Sequence, residues 1–387
     1  MPDPLAWLDA EAERRRAGGL VRTLVPRTAL PDGRIVEGGR TLLNFASNDY
    51  LALANDPRVR VAASLVAGES WGAAASPLVC GWHPQHEALA RDIAAFEGAE
   101  SALIFPSGFA ANAGAIAALV GPGDAVYADR LDHACLVAGA RLAGARLRVF
   151  PHDDPDRLGA ILARERPSFR RALIATDGVF SMDGDLAPLP ALADLADRFD
   201  AMLLVDEAHG TGVHGESGRG AAEALGVADR VPIRVGTLSK ALGSVGGFVA
   251  GSHRLIDHLR HAAPTFSFST GLPPAAAAAA RAALAIVRAE PGRRLGLLAR
   301  AASLRDRLVG HGLAVPPGVG PIIPVVLGAP DRAVAAAEAL HQRGYLVPAI
   351  RPPTVPRGTS RLRISLGAAH DAADLDALAD ALAAVLC

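Results

Sequence analysis

Val235-Gly-Thr-Leu-Ser-Lys-Ala-Leu-Gly243 is the stretch on which the reading of this chain turns. Lys240 within it is the one lysine of the 387-residue sequence, although Lys and Arg together number 39. A chain with arginine at every other basic position keeps at Lys240 a group that arginine cannot replace. Guanidinium stays protonated in proteins, whereas an amine can lose its proton, attack a carbonyl and form a Schiff base. Val231 to Val235, just before, alternate in the manner of a short strand, and small or hydroxylated residues crowd the turn that follows. Thr237 and Ser239 can donate to phosphate oxygens, and the glycines on either side of the lysine let backbone approach a ligand closely.

Working outward, further chemistry-bearing residues stand at the ends of strand-like segments. Ala201-Met-Leu-Leu-Val-Asp206 reads as a buried strand that delivers Asp206 at its carboxyl end, where open α/β sheets bind ligands; Glu207, Ala208 and His209 follow. Ala102-Leu-Ile-Phe-Pro-Ser-Gly-Phe-Ala-Ala-Asn112 reads as a strand, a Ser-Gly turn and an Ala-rich helix. The amides of Gly108 and Phe109 open that helix, and with its positive dipole end they suit a phosphate dianion. His133 lies just beyond the strand-like Asp124 to Ala128, and Ser181 lies in Thr176-Asp-Gly-Val-Phe-Ser-Met-Asp-Gly-Asp185 after the strand Arg171 to Ala175. Taken singly, a histidine is more often structural and a Ser-Gly turn is common; their order along the chain is far more specific.

In that order the pieces resemble the α-oxoamine synthases, fold-type I enzymes that use pyridoxal 5'-phosphate to condense an amino acid with an acyl thioester, releasing coenzyme A and carbon dioxide. The resemblance runs from the Asn44 region to the Arg363 region. It implies that Lys240 holds the cofactor, that Asp206 pairs with the ring nitrogen and that His133 stacks on the ring and assists proton transfer. It also implies that His209 touches the phenolic oxygen, that Ser181 contacts the cofactor and that Gly108, Phe109, Thr237 and Ser239 surround it. Thr270, in Ser269-Thr-Gly271, is expected at the phosphate of the neighbouring subunit of a homodimer. The chain departs from the pattern at Asp177, where many relatives carry glutamate, and at Gly271, where a hydroxyl is usual.

An amino-acid carboxylate calls for a bidentate guanidinium. The resemblance gives that role to Arg363 in Arg361-Leu-Arg-Ile364, with Asn48 as a second contact, Thr354 and Arg351 lining the substrate site and Arg22 meeting the acyl substrate. Ala349-Ile-Arg-Pro-Pro-Thr-Val-Pro356, with Ser47-Asn-Asp-Tyr-Leu51, most resembles the branch that joins L-alanine to a pimeloyl thioester, borne on coenzyme A or a carrier protein, in biotin biosynthesis. A glycine-using sister enzyme and a non-catalytic cofactor-binding protein are the competing readings.

The length and a hydrophobic content of 50% suffice for two cores. The expected organisation is α/β: an arm and linker over 1-44, a large cofactor-binding domain with a mostly parallel, helix-covered sheet over 45-271, and a smaller α+β domain over 272-387. Within the last, Ile322 to Val326, Leu346 to Ile350 and Arg361 to Leu366 read as extended and Asp331 to Gln342 as helix. A net charge of -1 gives no electrostatic footprint for nucleic acid or an anionic membrane. Cys80, Cys135 and Cys387 are odd in number and widely spaced, which fits neither a disulfide framework nor a metal site. The amino terminus has no apolar signal core, and Arg281 interrupts the Ala-rich run from Ala275 to Val287, so a cytoplasmic enzyme is the default expectation.

Overall fold

The computed structural model describes residues 3–386, so Cys387 lies outside it. Its centre is a seven-stranded sheet in the order Ser101–Phe105, Gly247–Gly251, Ile233–Thr237, Met202–Asp206, Ala172–Asp177, Ala125–Asp129, Arg146–Phe150. The last five strands run parallel, and Gly247–Gly251 is antiparallel to both of its neighbours. Strands buried on both faces are continuous apolar runs, and those from Ala125, Ala172, Ile233 and Gly247 are buried at every position. Helices Gly108–Leu119, Ala134–Leu142 and His253–Ala262 cover one face, and Pro155–Glu165 with Leu189–Arg198 pack into the core on the other. The carboxyl ends of four adjacent parallel strands therefore open at one rim, and that rim carries His133, Asp177, Asp206 and Lys240.

A second core joins helices Pro57–Glu69, Pro84–Glu97 and Pro274–Ala289 to the carboxy-terminal part. There Ile322–Gly328, Ser360–Ser365 and Ala349–Ile350 form an antiparallel sheet. The extended stretch read over Leu346 to Ile350 divides at Val347-Pro348: its second half joins this sheet, whereas Tyr345–Leu346 pairs in parallel with Arg40–Asn44. Arg40–Asn44 continues through Arg34–Glu37 to Thr28–Ala29, so residues 28 to 44 are stitched to the carboxy-terminal part rather than running free. The helix Trp7–Ala17 buries none of its residues. No helix among the described residues is long and apolar enough to cross a membrane.

Candidate active site

The rim encloses a cavity of about 210 Å³ whose lining includes Gly108, Phe109, His133, Asp177, Ser181, Asp206, His209, Thr237, Ser239 and Lys240. Residues separated by 132 positions in the chain thus meet because each follows its own strand. Burial lowers the pKa of the Lys240 amine, against the opposing pull of Asp206 and Asp177. At any given pH the neutral, nucleophilic amine is therefore a larger fraction than in an exposed lysine.

Asp206 is held by two hydrogen bonds, with a thiol nearby. Asn112 Nδ2 donates to Oδ2 at 2.8 Å, the Ala208 amide donates to Oδ1 at 2.9 Å, and the Cys135 thiol lies 3.9 Å from Oδ2. Asn112 carries no role in the sequence reading; its spacing of four from Gly108 on a helix is the signal that aims it inward. Cys135 also presents its amide, at 3.3 Å, and its sulfur, at 2.9 Å, to His133 Nδ1. That nitrogen is thereby an acceptor. Burial lowers the His133 pKa although Asp206 works the other way, which favours the neutral ring at the cavity wall.

Asp177 Oδ2 accepts from the His133 amide at 3.2 Å, while the Asp177 amide donates to Asp132 at 2.9 Å. Burial and then the neighbouring Asp206 push the Asp177 carboxyl well above the carboxylate range; burial and then Asp177 do the same to Asp132. His152 fastens the same loops from behind. Its Nδ1 bonds to Asp129 at 3.0 Å and its Nε2 to Asp185 at 2.9 Å, joining the segment that carries His133 to the one that carries Ser181.

The Ser-Gly turn opens a helix, Gly108–Leu119, as its sequence pattern indicated. Ser107 caps the helix, its hydroxyl accepting from the Ala110 amide at 3.1 Å, and the first-turn amides of Gly108 and Phe109 have no intrahelical acceptor. Thr237 donates to the Gly246 carbonyl at 3.0 Å and sits 2.7 Å from the Ser239 hydroxyl. A Cβ on Gly247 would come within 2.6 Å of the Gly108 amide nitrogen, so glycine is what lets the neighbouring strand back this loop. Thr270 is exposed and lies outside the cavity. Gly271 packs against the distant segment Ala73 to Gly81: a Cβ there would stand 2.6 Å from the Gly81 carbonyl oxygen, which accounts for the missing hydroxyl.

Arg363 is buried beside the cavity, donating from Nε to the Ser181 carbonyl at 2.5 Å and from Nη1 to Asn48 Oδ1 at 3.2 Å and Ser365 at 2.7 Å. Arg22, Arg351 and Thr354 meet elsewhere, in a wider cavity of about 980 Å³ between the amino-terminal arm and residues 349 to 354. Arg351 donates there to the Gly19 carbonyl.

These parts define a covalent cofactor site of the pyridoxal-phosphate type on a fold-type I sheet. The model for aminotransferase classes I and II matches residues 40–382. An 8-amino-7-oxononanoate synthase of Anaeromyxobacter sp. (strain Fw109-5) is 55% identical over 385 residues, covering 99% of this chain and 96% of the relative. Among solved structures, Sphingomonas wittichii serine palmitoyltransferase is 31% identical, with a TM-score of 0.93 over 99% of this chain and 98% of that one. The 8-amino-7-oxononanoate synthase of Francisella tularensis is 25% identical, with a TM-score of 0.76 over 89% and 97%. Serine palmitoyltransferase of this fold has also been solved with pyridoxal phosphate. The chain belongs to the class I and II aminotransferase family and, within it, to the group of the 8-amino-7-oxononanoate synthases.

The residues present fit that cofactor. A lone amine whose pKa burial lowers, a carboxylate steadied by Asn112, an imidazole whose pKa burial lowers and a helix start with open amides line one cavity. The buried Asn112 Oδ1 has no protein partner among the described residues, a polar atom left for a ligand or water. No cluster of metal-ligating side chains occurs among the described residues.

Proposed function

We propose that this chain condenses L-alanine with a pimeloyl thioester, on coenzyme A or a carrier protein, to form 8-amino-7-oxononanoate with release of carbon dioxide and of the free coenzyme A or carrier thiol, in biotin biosynthesis. The observation that carries the reading is the buried Lys240 amine sharing one cavity with Asp206 and His133, in a chain 55% identical to a synthase of that name. Pyridoxal phosphate, when bound, supplies an electron sink that stabilises a carbanion at the amino acid's α-carbon. The chain's own residues do the rest. Asp206 keeps the ring nitrogen protonated, His133 stacks on the ring, and His209, Ser181, Thr237 and Ser239 orient it. Gly108 and Phe109 hold the phosphate through their amides. Lys240 Nζ would hold the cofactor covalently and would be the base for the α-proton.

Arg363 and Asn48 bind the amino-acid carboxylate, while Arg22, Arg351 and Thr354 receive the acyl thioester in the wider cavity, which has the room for it. A homodimer is part of this reading. Thr270 is set to reach the partner's phosphate, and Trp71, Val79 and Phe268 present exposed apolar surface on segments linked by the bond from the Gly271 amide to the Ala75 carbonyl. The free thiols of Cys80 and Cys135 suit a reducing, cytoplasmic setting.

The test is product mass spectrometry on the cofactor-loaded protein given equal L-alanine, glycine and L-serine with pimeloyl-CoA and acetyl-CoA together. Predominant 8-amino-7-oxononanoate is expected. A glycine- or serine-derived ketone would keep the class and overturn the substrate.

A further inference from the structure

We propose that Tyr50 is a positioning residue of this site: its hydroxyl fixes the tautomer and orientation of His209, with Asn48 Oδ1, which faces the Arg363 clamp, as the competing acceptor for its proton. Tyr50 is fully buried, and its hydroxyl lies 2.6 Å from His209 Nδ1 and 3.2 Å from Asn48 Oδ1. A phenol has one proton and can donate to only one of them. The Asn48 contact is the longer and weaker of the two, and Oδ1 has a second donor in Arg363 Nη1 at 3.2 Å. The 2.6 Å contact falls in the range of hydroxyl donors, whereas imidazole N–H donors sit nearer 2.9 Å. The hydroxyl therefore donates to Nδ1, and the neutral ring carries its own proton on Nε2.

The surroundings hold both partners in these states. Burial pushes the Tyr50 pKa up, and burial followed by the charges of Lys240 and Arg363 drives that of His209 well below its ordinary value. Nε2 has no protein hydrogen bond among the described residues, while His209 lines the Lys240 cavity, so a fixed N–H donor edges that space. Its use toward the cofactor's phenolic oxygen rests on the reading under Proposed function; the tautomer does not. One consequence follows for the substrate. A carboxylate that draws Arg363 Nη1 away from Asn48 frees Oδ1 to compete for the Tyr50 proton, so occupancy of the clamp is felt at His209.

Nitrogen-15 NMR of histidine-labelled protein, with His209 assigned by difference against His209→Gln, tests the tautomer directly. Wild type is expected to show an unprotonated, hydrogen-bonded Nδ1 and a protonated Nε2, and Tyr50→Phe a mixture of tautomers. A wild-type proton on Nδ1 overturns the proposal without need of any variant. In cofactor-loaded protein, Tyr50→Phe should move the visible band, abolish the band's response to propionate, which mimics alanine without its amine, and lower kcat on the order of tenfold. A variant with a lower melting temperature but unchanged band, propionate response and kcat would mean that Tyr50 only packs. A wild-type protein with no visible band at all would refute the cofactor reading instead, and the tautomer measurement would still decide on Tyr50.

Discussion

Replacing His152 by alanine probes the fastening of the loops that carry His133 and Ser181. Both ring nitrogens face carboxylates, Asp129 at 3.0 Å and Asp185 at 2.9 Å, and both can donate at once only in the imidazolium. Burial opposes that charge, but the two carboxylate bonds outweigh it and raise the pKa to about 10. Unfolded histidine titrates near pH 6.5. The folded pKa is the higher one, so the contribution to stability is fully present below about pH 6.5 and is lost as pH rises through about 10. At about 1.4 kcal/mol per pH unit that gap amounts to roughly 5 kcal/mol. Solvent reaches 23% of the side chain and Asp129 keeps amide bonds from Leu131 and Asp153, which reduces the expected loss. About 2–3 kcal/mol is the magnitude we expect at pH 6. Urea unfolding of wild type and His152→Ala, followed by circular dichroism at pH 6, 8 and 10.5, reads the difference from midpoint and slope. The deficit should shrink through pH 8 and fall below about 1 kcal/mol at pH 10.5. A deficit independent of pH refutes the doubly bonded imidazolium, and no deficit at any pH refutes the fastening.

Lys240→Arg should lose at least about a thousandfold in turnover and fail to form the visible band with added pyridoxal phosphate; near-normal activity in that variant would sink the proposed chemistry. Arg363→Lys, which removes the planar fork, is expected to raise KM for the amino acid roughly ten- to a hundredfold with a smaller change in kcat and an unaltered cofactor spectrum, so a spectrum that collapses would assign Arg363 to the cofactor instead. Gly271→Ser should restore the relatives' hydroxyl only by forcing the Gly81 carbonyl aside, at a cost of about 1–3 kcal/mol in thermal stability, and an unchanged melting temperature would show that this loop gives way freely.

The central sheet and most of the Lys240 cavity were legible in the sequence because parallel strands are continuous apolar runs and each ends in a distinctive residue. Asp206 after Met202–Asp206 and Lys240 after Ile233–Thr237 need nothing but local pattern. Contacts decided by packing between distant segments left no such trace. Tyr50 meets His209 across 159 positions, and Asn112 meets Asp206 across 94. Neither partner signals the other by spacing. The pairing of Arg40–Asn44 with Tyr345–Leu346 is hidden for a related reason, since a two-residue strand is too short to show any period. Gly271 read as a lost hydroxyl until the Gly81 carbonyl beside it supplied the steric reason.

The solitary lysine also makes this protein unusually easy to interrogate by covalent chemistry. Borohydride trapping of the cofactor, or an acylating reagent selective for side-chain amines, has one side chain to mark, and that side chain sits inside the cavity lined by His133 and Asp206. Occupancy of the site can therefore be counted as a single mass increment on the intact chain. A lysine-specific endoproteinase cuts the unfolded chain once, after Lys240, and a cofactor fixed there blocks the cut, so one digest separates loaded from empty molecules without a chromophore.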